Sequence, residues 1–184
     1  MDSPITPEPA AISPDDKDWT WVLREVCPEC GFDASKVPAA DTGALTRANV
    51  ESWTRLLTAD TDRVRARTDV GRWSTLEYAC HVRDVFRIYD ERLGLMLTED
   101  GPRYANWDQD QTAVEQRYDL SDPVVVAGEL RTAGEQLAAA FDAVSGDQWD
   151  RTGYRGDGAE FTVDTFARYF IHDPIHHLWD VTGS

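Results

Sequence analysis

Residues 162–181 read TVDTFARYFIHDPIHHLWDV and carry three of the chain's four histidines on a segment that is otherwise largely apolar. Neutral imidazole and carboxylate are ligands of divalent transition metals. Side chains four residues apart share one face of a helix, so the segment offers two ligand pairs, His172 with His176 and Asp173 with His177. The segment therefore predicts a metal-binding helix, and helix geometry alone permits either pair.

The positions around these pairs give partial support to one of them. Asp173 and His177 continue a stripe at helical spacing that also contains Phe166, Phe170 and Val181. A second apolar stripe lies directly beside the first. The buried face is therefore broad, and either pair could point toward the metal.

Two further residues of this segment have predicted roles. Pro174 has no N–H and crowds the carbonyl of Phe170, which favours a kink in a continuous helix over a new helix that begins there. Asp180 follows His177 by three residues and is a candidate acceptor for an imidazole N–H, a contact that orients metal-ligating histidines.

The composition indicates a single globular domain without a membrane span. The 184 residues are enough for one sizeable core, and the formal net charge of −16 disfavours nucleic-acid backbones and anionic membranes as partners. No apolar run approaches the roughly 20 residues that a membrane span needs. The first residues lack the pattern of a secretory signal, and three cysteines suit a reducing compartment better than a disulfide framework. We therefore expect a cytoplasmic protein.

Four long amphipathic helices are predicted, and sustained apolar–polar alternation between hairpin turns is absent. This pattern indicates an all-α fold, a four-helix bundle. Within the third of these helices, Gly128 and Gly134 predict close helix packing, because glycine costs about 1 kcal/mol relative to alanine on an exposed helix. The predicted helices cover residues 41–59, 74–97, 121–144 and 162–181.

The chain divides into three parts. Residues 1–18 are rich in Pro, Asp and Ser and are predicted to form a flexible leader. Residues 19–40 are predicted to be an extension that packs on the domain, and residues 41–184 form the bundle. Residues 99–107 and the glycine-containing residues 146–160 are predicted to be loops.

The extension contains a short cysteine motif, Cys27-Pro28-Glu29-Cys30-Gly31. A CxxC turn followed by glycine is typical of one half of a zinc knuckle and also occurs in redox motifs. Because the only other cysteine is Cys80, the second half is missing from the sequence. We therefore expect turn packing or a reversible dithiol ahead of a zinc site.

All four histidines lie on the second and fourth long helices. Metal sites in bundles are built from inward side chains of facing helices, so His81 on the second helix can join one pair from the last. Three protein ligands leave coordination positions open, which is typical of a catalytic metal site. A lone histidine such as His81 is also commonly a hydrogen-bonded core residue.

A resemblance to a known family adds to this interpretation. Four motifs follow one another in the chain: Trp73-Ser74-x-x-Glu77-x-x-x-His81, Asn106-Trp107-Asp108, Asp122-Pro123 and the histidine-rich last helix. Their order and spacing resemble the DinB-like superfamily of metal-binding four-helix bundles, which includes mycothiol-dependent maleylpyruvate isomerases and thiol S-transferases, and in particular its actinobacterial members. The resemblance covers roughly residues 40–181.

The resemblance implies a particular ligand set. The family uses one histidine near the start of the second helix and, on the last helix, a histidine or an acid followed four residues later by a histidine. The last ligand is usually followed three residues on by Gln or Asp, as His177 is by Asp180. The implied metal ligands are His81, Asp173 and His177, and the all-histidine pair of the last helix is the rival.

The resemblance also implies an activity. In the family a divalent metal, zinc or nickel, is thought to activate a low-molecular-weight thiol, and a metal favours the nucleophilic thiolate. The frequent Ala, Asp, Arg and Val and the few lysines resemble an actinobacterial protein, for which the thiol would be mycothiol. No catalytic side chain is assigned.

The leading hypothesis is a metal-dependent thiol S-transferase or isomerase-like enzyme. Its partners would be a thiol and a small-molecule electrophile, with no nucleic acid and no membrane, and a homodimer is left open. One alternative is a non-catalytic, stress-related metal-binding protein. Another is a metal-dependent hydrolase that activates water.

Overall fold

The structure, a computed structural model, describes Ile12 and residues 17–183. The flexible leader predicted for residues 1–18 lies almost entirely outside the described residues. Within the described part of the chain, no helix is both long and apolar enough to cross a bilayer.

Four long helices and a short one make up most of the structure and confirm the predicted all-α four-helix bundle. The long helices begin and end close to their predicted bounds, because their buried side chains recur every three or four residues. The helices are α1 (Thr42–Ala59), α2 (Thr75–Thr98), α3 (Gln109–Glu115), α4 (Pro123–Asp142) and α5 (Val163–Thr182).

The bundle core fixes the position of α5. Both α4 and α5 pack against α1 and α2. Phe170 of α5 stacks on Phe141 of α4, with ring centroids 5.6 Å apart, and meets Phe86 of α2 edge to face at 5.9 Å. None of the three rings is more than 2% exposed, and burying each contributes roughly 1.5–3 kcal/mol. One face of α5 is therefore held against α2.

The start of α2 is held by a capping box. The N–H of Glu77 donates to Ser74 Oγ at 3.2 Å, and the N–H of Ser74 donates to Glu77 Oε2 at 2.8 Å. Arg67 donates to both oxygens of the same carboxylate, at 2.9 and 2.5 Å. These contacts fix the turn that precedes His81.

A small three-stranded sheet lies where loops were predicted, so the loop predictions for residues 99–107 and 146–160 are wrong in part. The middle strand pairs in parallel with the first and antiparallel with the third. A Cβ at Gly153 would come 2.7 Å from Met96 Cγ, which explains a glycine in the middle strand. Strands this short cannot display a sustained alternation. They are β1 (Arg103–Tyr104), β2 (Thr152–Arg155) and β3 (Glu160–Thr162).

Helix α5 continues through Pro174, so no new helix begins at that residue. The carbonyl oxygen of Pro174 accepts a hydrogen bond from Asn49 Nδ2 of α1 at 2.8 Å. Because this contact is buried, it helps to fix the rotation of α5 beside Asp173.

The extension of residues 19–40 lies along α5. It forms three short 3₁₀ turns, all of which contact that helix. Val22 and Cys27 are buried at 0% and 1% exposure, so the extension shares the hydrophobic core. The turns are Trp19–Leu23, Ala34–Lys36 and Ala39–Asp41.

The two glycines of α4 differ in their surroundings. A Cβ at Gly134 would lie 2.3 Å from Val50 Cγ2 and 3.0 Å from Phe86 Cε2, so the predicted close packing is confirmed there. A Cβ at Gly128 would meet nothing within 4 Å. The prediction of close packing at Gly128 is therefore wrong, because that residue faces outward.

We expect alanine at these two positions to shift stability in opposite directions. Gly134→Ala forces the helices apart and is expected to lower the free energy of unfolding by about 1–3 kcal/mol. Gly128→Ala relieves the entropic cost of glycine and is expected to raise it by roughly 0.5–1 kcal/mol. Denaturant unfolding measures both values, and changes of the same sign would contradict the packing of α4.

Candidate metal centre

His81, Asp173 and His177 lie together where α2 faces α5. Nε2 of His81 is 3.5 Å from Asp173 Oδ1, and Nε2 of His177 is 3.8 Å from the same oxygen. One ligand atom from each residue lies within 4.8 Å of the other two. The residues indicated by the resemblance therefore converge in space and could hold a metal ion.

His81 is the buried member of this group, with 0% exposure. Trp107 stacks on the ring, with centroids 5.3 Å apart and planes 6° apart, and Trp73 packs at 5.2 Å. Among the described residues, neither ring nitrogen of His81 has a hydrogen-bond partner. Leaving such buried groups unpaired is costly, so either ring nitrogen of His81 is available to bind a metal ion.

Asp180 orients His177. Nδ1 of His177 is 3.0 Å from Asp180 Oδ2, the contact expected of Asp180 from its spacing. Asp180 is also paired with Arg72. Because Nδ1 is engaged, Nε2 is the nitrogen left to face Asp173, and this is the arrangement that a carboxylate gives to a metal-ligating histidine.

The electrostatics favour the ligand forms of two of these side chains. Burial opposes the ionisation of Asp173, but the imidazoles of His177 and His81 outweigh it and hold the pKa of Asp173 at about 2. Burial lowers the pKa of His81, against the attraction of Asp173. A carboxylate and a neutral imidazole are the forms that bind a metal.

The rival pair, His172 and His176, lies on the adjoining side of α5 and meets the cysteine turn. Cys27 Sγ is 3.6 Å from His176 Nδ1. One ligand atom from each of Cys27, Cys30, His172 and His176 lies within 4.8 Å of the others. The second half that the cysteine motif lacks in sequence could therefore be supplied by two histidines distant in sequence.

Burial shifts the pKa values of His172 and Cys30 in this second group. It lowers the pKa of His172 to about 4, and repulsion from His176 adds to the shift. It raises the pKa of the Cys30 thiol to about 11. In this structure His172 is therefore neutral at pH 7 and Cys30 is a protonated thiol.

A cavity of about 590 Å³ borders both groups, because Asp173 and His177 of the first group and His172 and His176 of the second form part of its wall. This volume is within the range of small-molecule sites. The other walls are polar, charged and aromatic. They include Trp19, Arg92, Asn106, Trp107, Asp108, Arg155, Asp157 and Tyr169.

Two arginines are held in fixed positions on the cavity wall. Arg155 of β2 donates to Tyr169 Oη at 2.8 Å and pairs with Asp157 at 2.7 Å. Arg92 of α2 donates to the carbonyl of Ala105 at 2.8 Å. The small sheet thus contributes one side of the cavity.

Some of these positions could not be inferred from the sequence. Arg155 gave no signal, because its place depends on a strand too short to predict. The second group did leave a signal. The last helix carries two pairs of potential ligands, each four residues apart and offset from the other by one residue. Together with the CxxC turn, they supply more ligands than one metal site requires.

Comparison with known proteins agrees with this fold. YfiT from Bacillus subtilis, described as a probable metal-dependent hydrolase with an unusual four-helix bundle topology, has a similar structure, with a TM-score of 0.71. The two chains are 16% identical, and the match covers 79% of this chain and 84% of YfiT. No curated protein matches the chain. The family model of the DinB superfamily matches residues 44–181, which include nearly all of the four long helices. The chain therefore belongs to the DinB superfamily.

Proposed function

We propose that His81, Asp173 and His177 hold one divalent metal, zinc or nickel, and that the protein is a metal-dependent enzyme of the thiol S-transferase or isomerase type. The proposal is carried by one observation, the convergence of three ligand atoms within 4.8 Å at the wall of a cavity of about 590 Å³. Three protein ligands leave a coordination position for a molecule in the cavity, as a catalytic site requires.

The residues present fit a divalent ion. Both ring nitrogens of His81 and Oδ1 of Asp173 are buried and lack hydrogen-bond partners in the part of the chain that the structure describes. Nitrogen and oxygen atoms about 2.0–2.2 Å from one tetrahedral ion lie roughly 3.3–3.6 Å apart. The separations of 3.5 and 3.8 Å between Asp173 and the two histidines are close to that spacing.

The chain's own contribution is to hold these ligands in place and to shape the cavity. The tryptophan rings against His81 and the carboxylate of Asp180 against His177 restrict both imidazoles. A divalent cation bound there would act as a Lewis acid that favours a thiolate over a thiol. Preorganised ligands of this kind cost little to order when the substrate binds.

The side chains on the cavity wall suit the binding of a polar thiol and a small electrophile. Asn106 and Asp108 lie on its wall and can hydrogen-bond hydroxyl groups. Mycothiol carries its cysteine on a hydroxyl-rich sugar and inositol headgroup and is present in the reducing cytoplasm of actinobacteria. It is therefore the thiol we propose. Arg92 and Arg155 suit an anionic group on the electrophile.

A metal-dependent hydrolase is the second candidate. Its support is the description of YfiT, which has the same fold, as a probable hydrolase of that kind. In such an enzyme water would take the place of the thiol as the nucleophile. The same three ligands would serve both reactions, so the two candidates differ in the second substrate.

We expect His81→Ala, Asp173→Asn and His177→Ala each to remove one divalent ion per chain, because each takes away one of three ligands. Elemental mass spectrometry of protein purified without an affinity tag measures this loss. Asp164→Asn is the matched control, since Asp164 is a carboxylate of the same helix that pairs with Arg168 outside both groups. Folded variants that keep the wild-type metal content would show the assignment to be wrong.

We expect the metal-loaded protein to conjugate monochlorobimane with mycothiol, followed by fluorescence, and to react more slowly with glutathione and without a thiol. Asp173→Asn removes a ligand, so it should lower the thiol-dependent rate by more than the roughly 10–100-fold typical of losing a residue that only orients a ligand. Thiol-independent hydrolysis would favour the second candidate. Metal binding without either activity would indicate a non-catalytic protein. Either of these two results would overturn the thiol proposal.

A further inference from the structure

We propose that Cys27, Cys30, His172 and His176 form a second metal site, a structural zinc site that fastens the N-terminal extension to α5. One ligand atom from each residue lies within 4.8 Å of the others, and all but Cys30 are buried. The site shares no ligand with the group around His81. It therefore does not depend on the function proposed for that group.

The cysteine half of the site is a preformed turn. The N–H of Cys27 donates to the carbonyl of Phe32 at 2.8 Å, and the N–H of Gly31 donates to the carbonyl of Cys27 at 2.9 Å. Gly31 has a φ of 73°, a left-handed conformation that glycine adopts without strain. The turn is thus closed by its own backbone, with its two thiols close together.

The histidine half comes from one side of α5, because His172 and His176 are four residues apart. Zinc–sulfur bonds of about 2.3 Å and zinc–nitrogen bonds of about 2.0–2.1 Å place the ligand atoms of a tetrahedral site roughly 3.3–3.8 Å apart. The separation of 3.6 Å between Cys27 Sγ and His176 Nδ1 falls within that range. Small side-chain rotations would bring the remaining atoms to the same spacing.

Two further observations, apart from the distances between ligand atoms, also indicate a metal site. Nε2 of His176 is 3.2 Å from Glu29 Oε2, and a metal-ligating histidine commonly gives its other ring N–H to a carboxylate. Glu29 lies between the two cysteines, so one turn supplies two ligands and orients a third. His172 is 4% exposed, and its Nε2 is buried with no hydrogen-bond partner among the residues that the structure describes.

The chemistry of the donor set indicates which metal binds and what it does. Two thiolates and two imidazoles are a typical tetrahedral zinc set. The two thiolates neutralise the dication, so no net charge is buried. Four protein ligands leave no open position, and a closed site stabilises a fold rather than catalysing a reaction.

The stabilised element borders the cavity. Trp19 packs against both imidazoles, with ring centroids 5.5 Å from His172 and 5.1 Å from His176, and it also lines the cavity. Phe32, just after the cysteine turn, also packs against His172, with ring centroids 5.3 Å apart. A zinc ion here would therefore hold one wall of the cavity through the extension.

Zinc stoichiometry tests the proposal. We expect the Cys27→Ser/Cys30→Ser variant to lose one zinc per chain relative to wild-type protein purified without an affinity tag. Cys80→Ser is the matched control, because Cys80 is a buried free cysteine outside both groups, and it should keep the wild-type content. His81→Ala should keep the cysteine-bound zinc, which separates this proposal from the one on function.

Cobalt substitution tests the same ligands in the unaltered chain. Wild-type protein produced with cobalt in zinc-poor medium is expected to show the intense near-ultraviolet absorption of thiolate-to-cobalt charge transfer. This band reports sulfur ligation directly, so it is informative even if the cysteine variant does not fold. We expect the band to persist in His81→Ala.

Three results would overturn the proposal. The first is a cobalt-loaded wild-type protein without the thiolate band. The second is a cysteine double variant with the zinc content of the wild-type chain. The third is a Cys27–Cys30 disulfide in freshly purified protein, detected as the loss of two titratable thiols, which would assign the pair as a redox dithiol instead.

Discussion

Successive side chains of an α-helix are about 100° apart around its axis, and this rotation on α5 governs the arrangement of both ligand groups. His172 and His176 point to one side, while Asp173 and His177, one residue later, point to the adjoining side. Phe170, packed between α2 and α4, fixes the rotation of the helix. One side therefore meets α2, and the other meets the N-terminal extension.

The two groups differ in ways that follow from their neighbours. The group that joins His81 of α2 to α5 has three ligand residues. The group on the extension has four, and Trp19 and Phe32 pack against its imidazoles. An open set suits chemistry and a closed set suits stability. The two groups on this helix thus differ in the number and type of their ligands.

The bundle could be predicted because its signals are local. Amphipathic spacing defines the long helices, and Ser74 with Glu77 marks the start of α2 within four residues of sequence. The approach of His81 to α5 could be expected from facing helices, whereas the choice of Asp173 and His177 needed the family resemblance. The cysteine–histidine group left surplus ligand residues in the sequence, but their approach could not be predicted, because Cys27 and His176 are separated by 149 positions and belong to elements with unrelated patterns. The sheet was missed since a strand as short as Arg103–Tyr104 has no periodicity.

The uninterrupted course of α5 through Pro174 has an evolutionary consequence. Inserting or deleting one residue after Phe170 would turn every following side chain by about 100° relative to the bundle core. Such a change would misdirect the histidines of both groups at once, whereas a substitution affects one ligand at a time. The length of this helix is therefore more tightly constrained than its composition, and we expect the lineage of this protein to vary α5 by exchange of residues and not by gain or loss of them.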